Sequence, residues 1–210
     1  MPNVALVFWG ITRSLKYTHE SIKSKVFEVL KSHDFHYTIF MHTYEVNTLF
    51  SCKRSKEFNC ELDNEEYKLL NPDYIHIDNQ EKVKISLDVN AYRTHKDHWN
   101  TDYQNLDNFI LATYSKSKAT DLIKKSGKQF DYVIFLRPDV KYLNDFDIGY
   151  FNQVSDTSIC VPNFHLFSFK MNDRFAVCNM QNYQIYGNAF PHLLPYSKRY
   201  SCHSESFYYQ

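Results

Sequence analysis

Hydrophobic positions along this chain fall into short runs separated by long polar stretches. The runs Val4–Trp9, Tyr37–Met41, Tyr74–Ile77 and Tyr132–Leu136 are mostly apolar, with β-branched and aromatic residues prominent. Tyr132–Leu136 suits a strand buried on both faces of a sheet and Val4–Trp9 a first buried strand, and the other two runs read as the second and third strands. Between the first two, Ile22, Val26, Val29 and Leu30 recur at helical spacing and predict a helix over about Glu20–Lys31. Leu106, Phe109, Ile110, Thr113, Leu122 and Ile123 predict a longer helix over Asn105–Lys125, with Gly127 placed to end it. Strand, helix and strand at this spacing make a βαβ unit with parallel strands.

Elsewhere the pattern is weaker. Residues 46–71 are polar and predict loops with a short helix at Asn64–Leu70, and residues 81–104 support no assignment. Past Asp147 the pattern predicts short strands at Ser158–Pro162 and Phe164–Phe169, then a helix over Phe175–Tyr186. The expected fold class is α/β: a Rossmann-like, mostly parallel central sheet flanked by helices, in a single domain. Residues 1–147 form its nucleotide-binding half, and residues 148–210 form a smaller α+β portion over the sheet's carboxyl edge.

Composition narrows the function classes. The 210 residues carry 24 Lys and Arg against 24 Asp and Glu, so the formal net charge is zero. That argues against a general nucleic-acid binder, which needs a positive footprint. Cys52, Cys60, Cys160, Cys178 and Cys202 are odd in number and contain no C-x-x-C pair. This points away from a disulfide framework and towards a reducing, cytoplasmic compartment. Val4–Trp9 is too short to span a bilayer and has no basic region before it, so a soluble chain without a membrane span is expected. The chain ends at Tyr209-Gln210 without a tail, as one domain of a longer polypeptide would.

Candidate chemistry gathers at the carboxyl ends of the predicted strands, where open α/β sheets bind ligands. The first strand runs into Gly10-Ile11-Thr12-Arg13, the second into His42-Thr43-Tyr44-Glu45, the third into Asp78, and the fourth into Arg137-Pro138-Asp139. A diphosphate needs donors for its oxygens. Backbone amides of a turn that opens a helix supply them, and Arg13 adds a guanidinium fork. It also needs a hard cation, for which Asp139 is the candidate carboxylate ligand. The candidate nucleotide-binding residues are therefore Gly10, Thr12, Arg13, Thr43, Tyr44, Asp78 and Arg137.

In order along the chain, FWGITRS at 8–14, IFMHTYE at 39–45, NFILATYSKSKATDLI at 108–123, YVIFLRPDV at 132–140, NDRFAV at 172–177 and HSESF at 203–207 resemble the motifs of GT-A-type glycosyltransferases that use sugar nucleotides. The resemblance implies a GT-A-like fold, a UDP-sugar donor such as UDP-L-rhamnose or UDP-glucose, a glycan acceptor, and Mn²⁺ or Mg²⁺. Asp139 matches the last aspartate of the family's D-x-D metal motif, whereas Arg137 stands where the first would be. That departure leaves the metal to be completed by His165, His203 or water. Asp173, in the acceptor-side motif, is the candidate catalytic residue. It also precedes Phe175-Ala176-Val177, where a helix would make it an N-cap. A sugar-1-phosphate nucleotidyltransferase and a non-catalytic sugar-nucleotide or glycan-binding module are the alternatives. The four glycines leave the former without its glycine-rich loop.

Overall fold

A computed structural model describes residues 1–164, 166 and 171–209. His165 and most of the strand expected over Phe164–Phe169 lie outside the described residues. The molecule is α/β. A five-stranded sheet has the order β5-β2-β1-β6-β7, formed by Tyr74–Asn79, His36–Glu45, Asn3–Trp9, Tyr132–Leu136 and Phe175–Asn179. The first four strands are mutually parallel, and β7 pairs antiparallel with β6. This arrangement is compatible with a Rossmann-like fold.

Alternation along β1 explains how the sheet is covered. Val4, Leu6 and Phe8 pack on one face with Leu15, Ile22, Val26 and Leu30. Ala5, Val7 and Trp9 pack on the other with Ala119 and Ile123. The first layer is the helical stretch α1 (Leu15–Ile22), a π-helical turn (Lys23–Phe27) and α2 (Glu28–Ser32); the second is the long helix α4 (Gln104–Ser126). A helix α3 (Gln80–Leu87) precedes α4 in the chain. Leu6, Leu15, Leu30, Ile134 and Leu136 are wholly buried, and each such side chain contributes about 1.5–3 kcal/mol by leaving water. No described helix is long and apolar enough to cross a membrane, and all five cysteines are free.

Several expectations are corrected. The first helix begins at Leu15 rather than Glu20. Residues 46–71 contain a hairpin, β3 (Phe50–Cys52) with β4 (Glu57–Cys60), ahead of a 3₁₀ turn at Glu66–Leu70. Its position is set by α4: Gln104 accepts from the Lys53 amide at 2.7 Å and donates to the Ser51 carbonyl at 2.9 Å. Ser158–Pro162 forms no strand and contributes only isolated bridges at Ser158 and Cys160. The helix expected over Phe175–Tyr186 is instead the strand β7 followed by α5 (Tyr183–Gly187). The Asn179 side chain accepts from the amides of Gln181 and Asn182, which ends the strand and turns the chain. Two further helices, α6 (Phe190–Ser197) and α7 (Ser204–Tyr209), complete the chain.

Candidate functional site

Sheet order reverses between β1 and β6. β1 leads outward to β2 and β5, and the chain then returns to the other side of β1. A crevice forms outside the carboxyl ends of strands at such a switch point. Here it is a cavity of about 480 Å³, within the range of small-molecule sites. Gly10, Arg13, Tyr44, Arg137, Asp139 and Asp173 all line it, so six of the sequence candidates meet in one place. Thr12, Thr43 and Asp78 do not line it. Thr12 and Thr43 are buried, and Asp78 sits at the β5 edge with two histidines.

The turn after β1 requires glycine, because Gly10 has φ +92°. Its amide donates to Ser115 Oγ on α4 at 2.8 Å. The first amides of α1 are also engaged: Leu15 N–H with the Thr12 carbonyl, Tyr17 N–H with the Ser14 carbonyl, and Lys16 N–H with the buried Glu66 carboxylate at 3.1 Å. A carboxylate of the protein thus occupies the place at the helix start where a phosphate was expected. The charge available to an anion comes from side chains instead. Arg13, Arg54, Arg137 and Arg174 line the cleft. Arg13 lies 4.9 Å over the Phe50 ring and pairs with Glu57 at 3.0 Å. The β3–β4 hairpin therefore forms one wall.

Arg137 and Asp139 form a bidentate fork across Pro138, with Nε to Oδ1 at 2.9 Å and Nη2 to Oδ2 at 2.6 Å. Burial works to raise the Asp139 carboxyl, but the Arg137 charge and its hydrogen bonds outweigh this and hold it below the usual carboxylate range. Asp139 is thus an ionised, hard-oxygen donor facing the cleft. One such carboxylate with phosphate oxygens fits Mg²⁺ or Mn²⁺, and a cation there competes with the Arg137 fork. Two residues before Asp139 the chain carries Arg137 rather than a second carboxylate.

Asp173 is half-buried at the cleft wall, beside Arg174. The segment that follows is a strand, so Asp173 caps no helix. The turn is held by Asn172, whose Oδ1 accepts from the Arg174 amide at 3.1 Å and whose Nδ2 donates to the Phe164 carbonyl. Arg174 lies 4.0 Å from Glu205, which also contacts His203 at 3.4 Å. His203, Ser204 and Glu205 all line the cleft, so the start of the segment 203–207 reaches it directly.

Sequence reasoning missed Lys116. It is 2% exposed, with Nζ 4.6, 4.1 and 4.0 Å from the ring centres of Trp9, Tyr186 and Tyr208. Burial pushes its ammonium down, to about 7, against the opposing pull of Asp173. A lysine on an α4 surface pattern gives no hint of this. The aromatic richness of the chain was the available signal.

No protein-family profile matches this chain, and no curated protein matches its sequence.

Proposed function

We propose that this chain is a GT-A-type glycosyltransferase that moves a sugar from a UDP-sugar to a glycan acceptor hydroxyl. The observation that carries the reading is the meeting of Arg13, Arg137, Asp139 and Asp173 in one cleft at the β1/β6 switch point. The guanidiniums of Arg13 and Arg137 bind the donor diphosphate by charge-assisted hydrogen bonds. Asp139 would hold Mn²⁺ or Mg²⁺, and such a cation would supply neutralisation of negative charge on the diphosphate. Tyr44, on the cleft wall, packs against the nucleoside. Asp173 receives the acceptor hydroxyl and either takes its proton or orients it, according to stereochemistry. Holding the two reactants together supplies on the order of 7–11 kcal/mol at best.

The test is incubation with a panel of UDP-sugars, and separately with nucleoside triphosphates plus sugar 1-phosphates. UDP released only from UDP-sugars supports the transferase. Inorganic diphosphate from the triphosphates supports a nucleotidyltransferase, and binding without turnover in any acceptor supports a binding module. Asp173→Asn should keep donor affinity and lose transfer. Normal transfer per folded molecule would remove Asp173 from the chemistry.

A further inference from the structure

β2 and β5 pair so that His42 stands opposite His76, two register steps, and so on the same face, from the pair Tyr44 and Asp78. The imidazole rings stack, with centres 5.6 Å apart and planes at 23°. Both Nε2 atoms turn to the same carboxylate: His42 to Asp78 Oδ2 and His76 to Asp78 Oδ1, each at 3.1 Å. Ligand atoms of the three side chains all lie within 4.8 Å of one another, and no other such trio occurs among the described residues. We propose that His42, His76 and Asp78 form a binding site for a divalent transition-metal ion of the Zn²⁺ type, at the β2–β5 edge and apart from the cleft.

The donor set selects the ion. Two imidazole nitrogens and one carboxylate suit Zn²⁺, whereas Mg²⁺ and Mn²⁺ favour oxygen. Zn–ligand bonds of about 2.0–2.1 Å in a tetrahedron put neighbouring ligand atoms about 3.3 Å apart; here each imidazole lies 3.1 Å from one oxygen of the shared carboxylate, and one ligand atom from each of the three side chains lies within 4.8 Å of the others, a set that a bound ion would draw together. Water completes such a set.

The surroundings are those of a ligated histidine. His42 Nδ1 lies 2.7 Å from Ser115 Oγ, which fixes the ring, as outer partners of metal-bound histidines do. Ser115 Oγ also accepts from the Gly10 amide and lies 3.1 Å from the His42 carbonyl. With the hydroxyl proton on that carbonyl, Nδ1 carries the ring proton and Nε2 turns a lone pair to Asp78. Two acceptors then face each other, and a cation between them resolves the repulsion. The Tyr114 hydroxyl donates to Asp78 Oδ2 at 3.2 Å and steadies the carboxylate. His42 is fully buried but the His76 side chain is half exposed, so the ion has an entry path. Once seated, it ties the edge strand β5 to β2 and, through Ser115, to the turn at Gly10.

The experiment is titration of the metal-stripped chain with Zn²⁺ against a chromophoric chelator, with Co²⁺ as a spectroscopic probe. The expected result is one tight equivalent of Zn²⁺, a rise in melting temperature on loading, and the intense visible bands of tetrahedral Co²⁺. His76→Ala, at a half-exposed position, should fold normally and lose all three. Asp78→Asn should lose the tight equivalent. Absence of stoichiometric Zn²⁺ binding in the wild type overturns the proposal, and so does equal binding by His76→Ala. His76 does not line the cleft, so either result leaves the transferase reading where it stands.

Discussion

Lys116 shows what a single residue does to this fold. A lysine with its pKa pushed down to about 7 is protonated more readily in the unfolded chain than in the folded one between about 7 and the ordinary 10.5. Unfolding therefore takes up protons in that window, so this residue's penalty is full below pH 7 and is relieved as pH rises. The three ring faces offset part of it. Lys116→Met should raise stability near neutral pH by roughly 1 kcal/mol or more, as when buried charges give way to apolar side chains of similar size. It should also flatten the dependence on pH between 7 and 9. Denaturant melts of both proteins across that range check this; equal slopes would contradict it. Arg13 belongs to the same scale. Its alanine variant should weaken UDP binding by about 1.5–3 kcal/mol, the range for hydrogen bonds to charged groups. Glu57→Gln, which frees the guanidinium, should not weaken it. Calorimetry that finds unchanged affinity in folded Arg13→Ala would exclude Arg13 from the site. Arg13, Arg137 and Asp139 were legible from sequence because each follows a strong apolar run. Lys116 was not, since its burial depends on rings from three separate elements.

At the scale of elements, legibility mostly followed burial, although the largely exposed edge strand β5 was read as well. β1 and β6 were read almost to their ends, because runs buried on both faces carry a dense apolar signal, whereas β2 continues four residues past the expected Met41 to Glu45 through the polar His42 and Thr43, which are buried. The long helix α4 was read to within a residue at each end, with Gly127 in the left-handed cap conformation, φ 65°. β7 was missed because Phe175–Cys178 is too short for its period to separate strand from helix; pairing to β6 decides it. The β3–β4 hairpin was missed because Phe50 and Cys52 are its only buried residues. What seats it is Gln104, far along the chain. α5 crosses α4 at Gly187, where a Cβ would strike the Thr120 side chain and approach Phe135 Cζ at 2.9 Å. Gly187→Ala should therefore cost about 1–3 kcal/mol, the usual penalty of overpacking. A melting temperature equal to wild type would show that α5 sits more loosely against α4 than this geometry requires.

Across the whole molecule, the sheet places unlike chemistry at one edge. β1 delivers the turn at Gly10, β6 delivers the Arg137–Asp139 fork, and the segment entering β7 delivers Asp173. The strand ends were predicted to converge, and four parallel strands account for it. Asp78 shares that edge but stands at the far strand β5, which is why it pairs with His42 and His76 rather than lining the cleft. Sequence order could not reveal this, since β5 is third among the predicted strands and outermost in space. The proposed function requires a sugar nucleotide seated on this cleft with its cation on Asp139. Calorimetric titration of UDP, with and without Mn²⁺, on wild type and Asp139→Asn tests it most directly. Mn²⁺ should tighten UDP binding in the wild type and not in the variant. Metal-free affinity should be kept or improved, because Arg137 is released from its fork. Equal Mn²⁺-dependent gains in both proteins, or no UDP binding to the wild type, would contradict it.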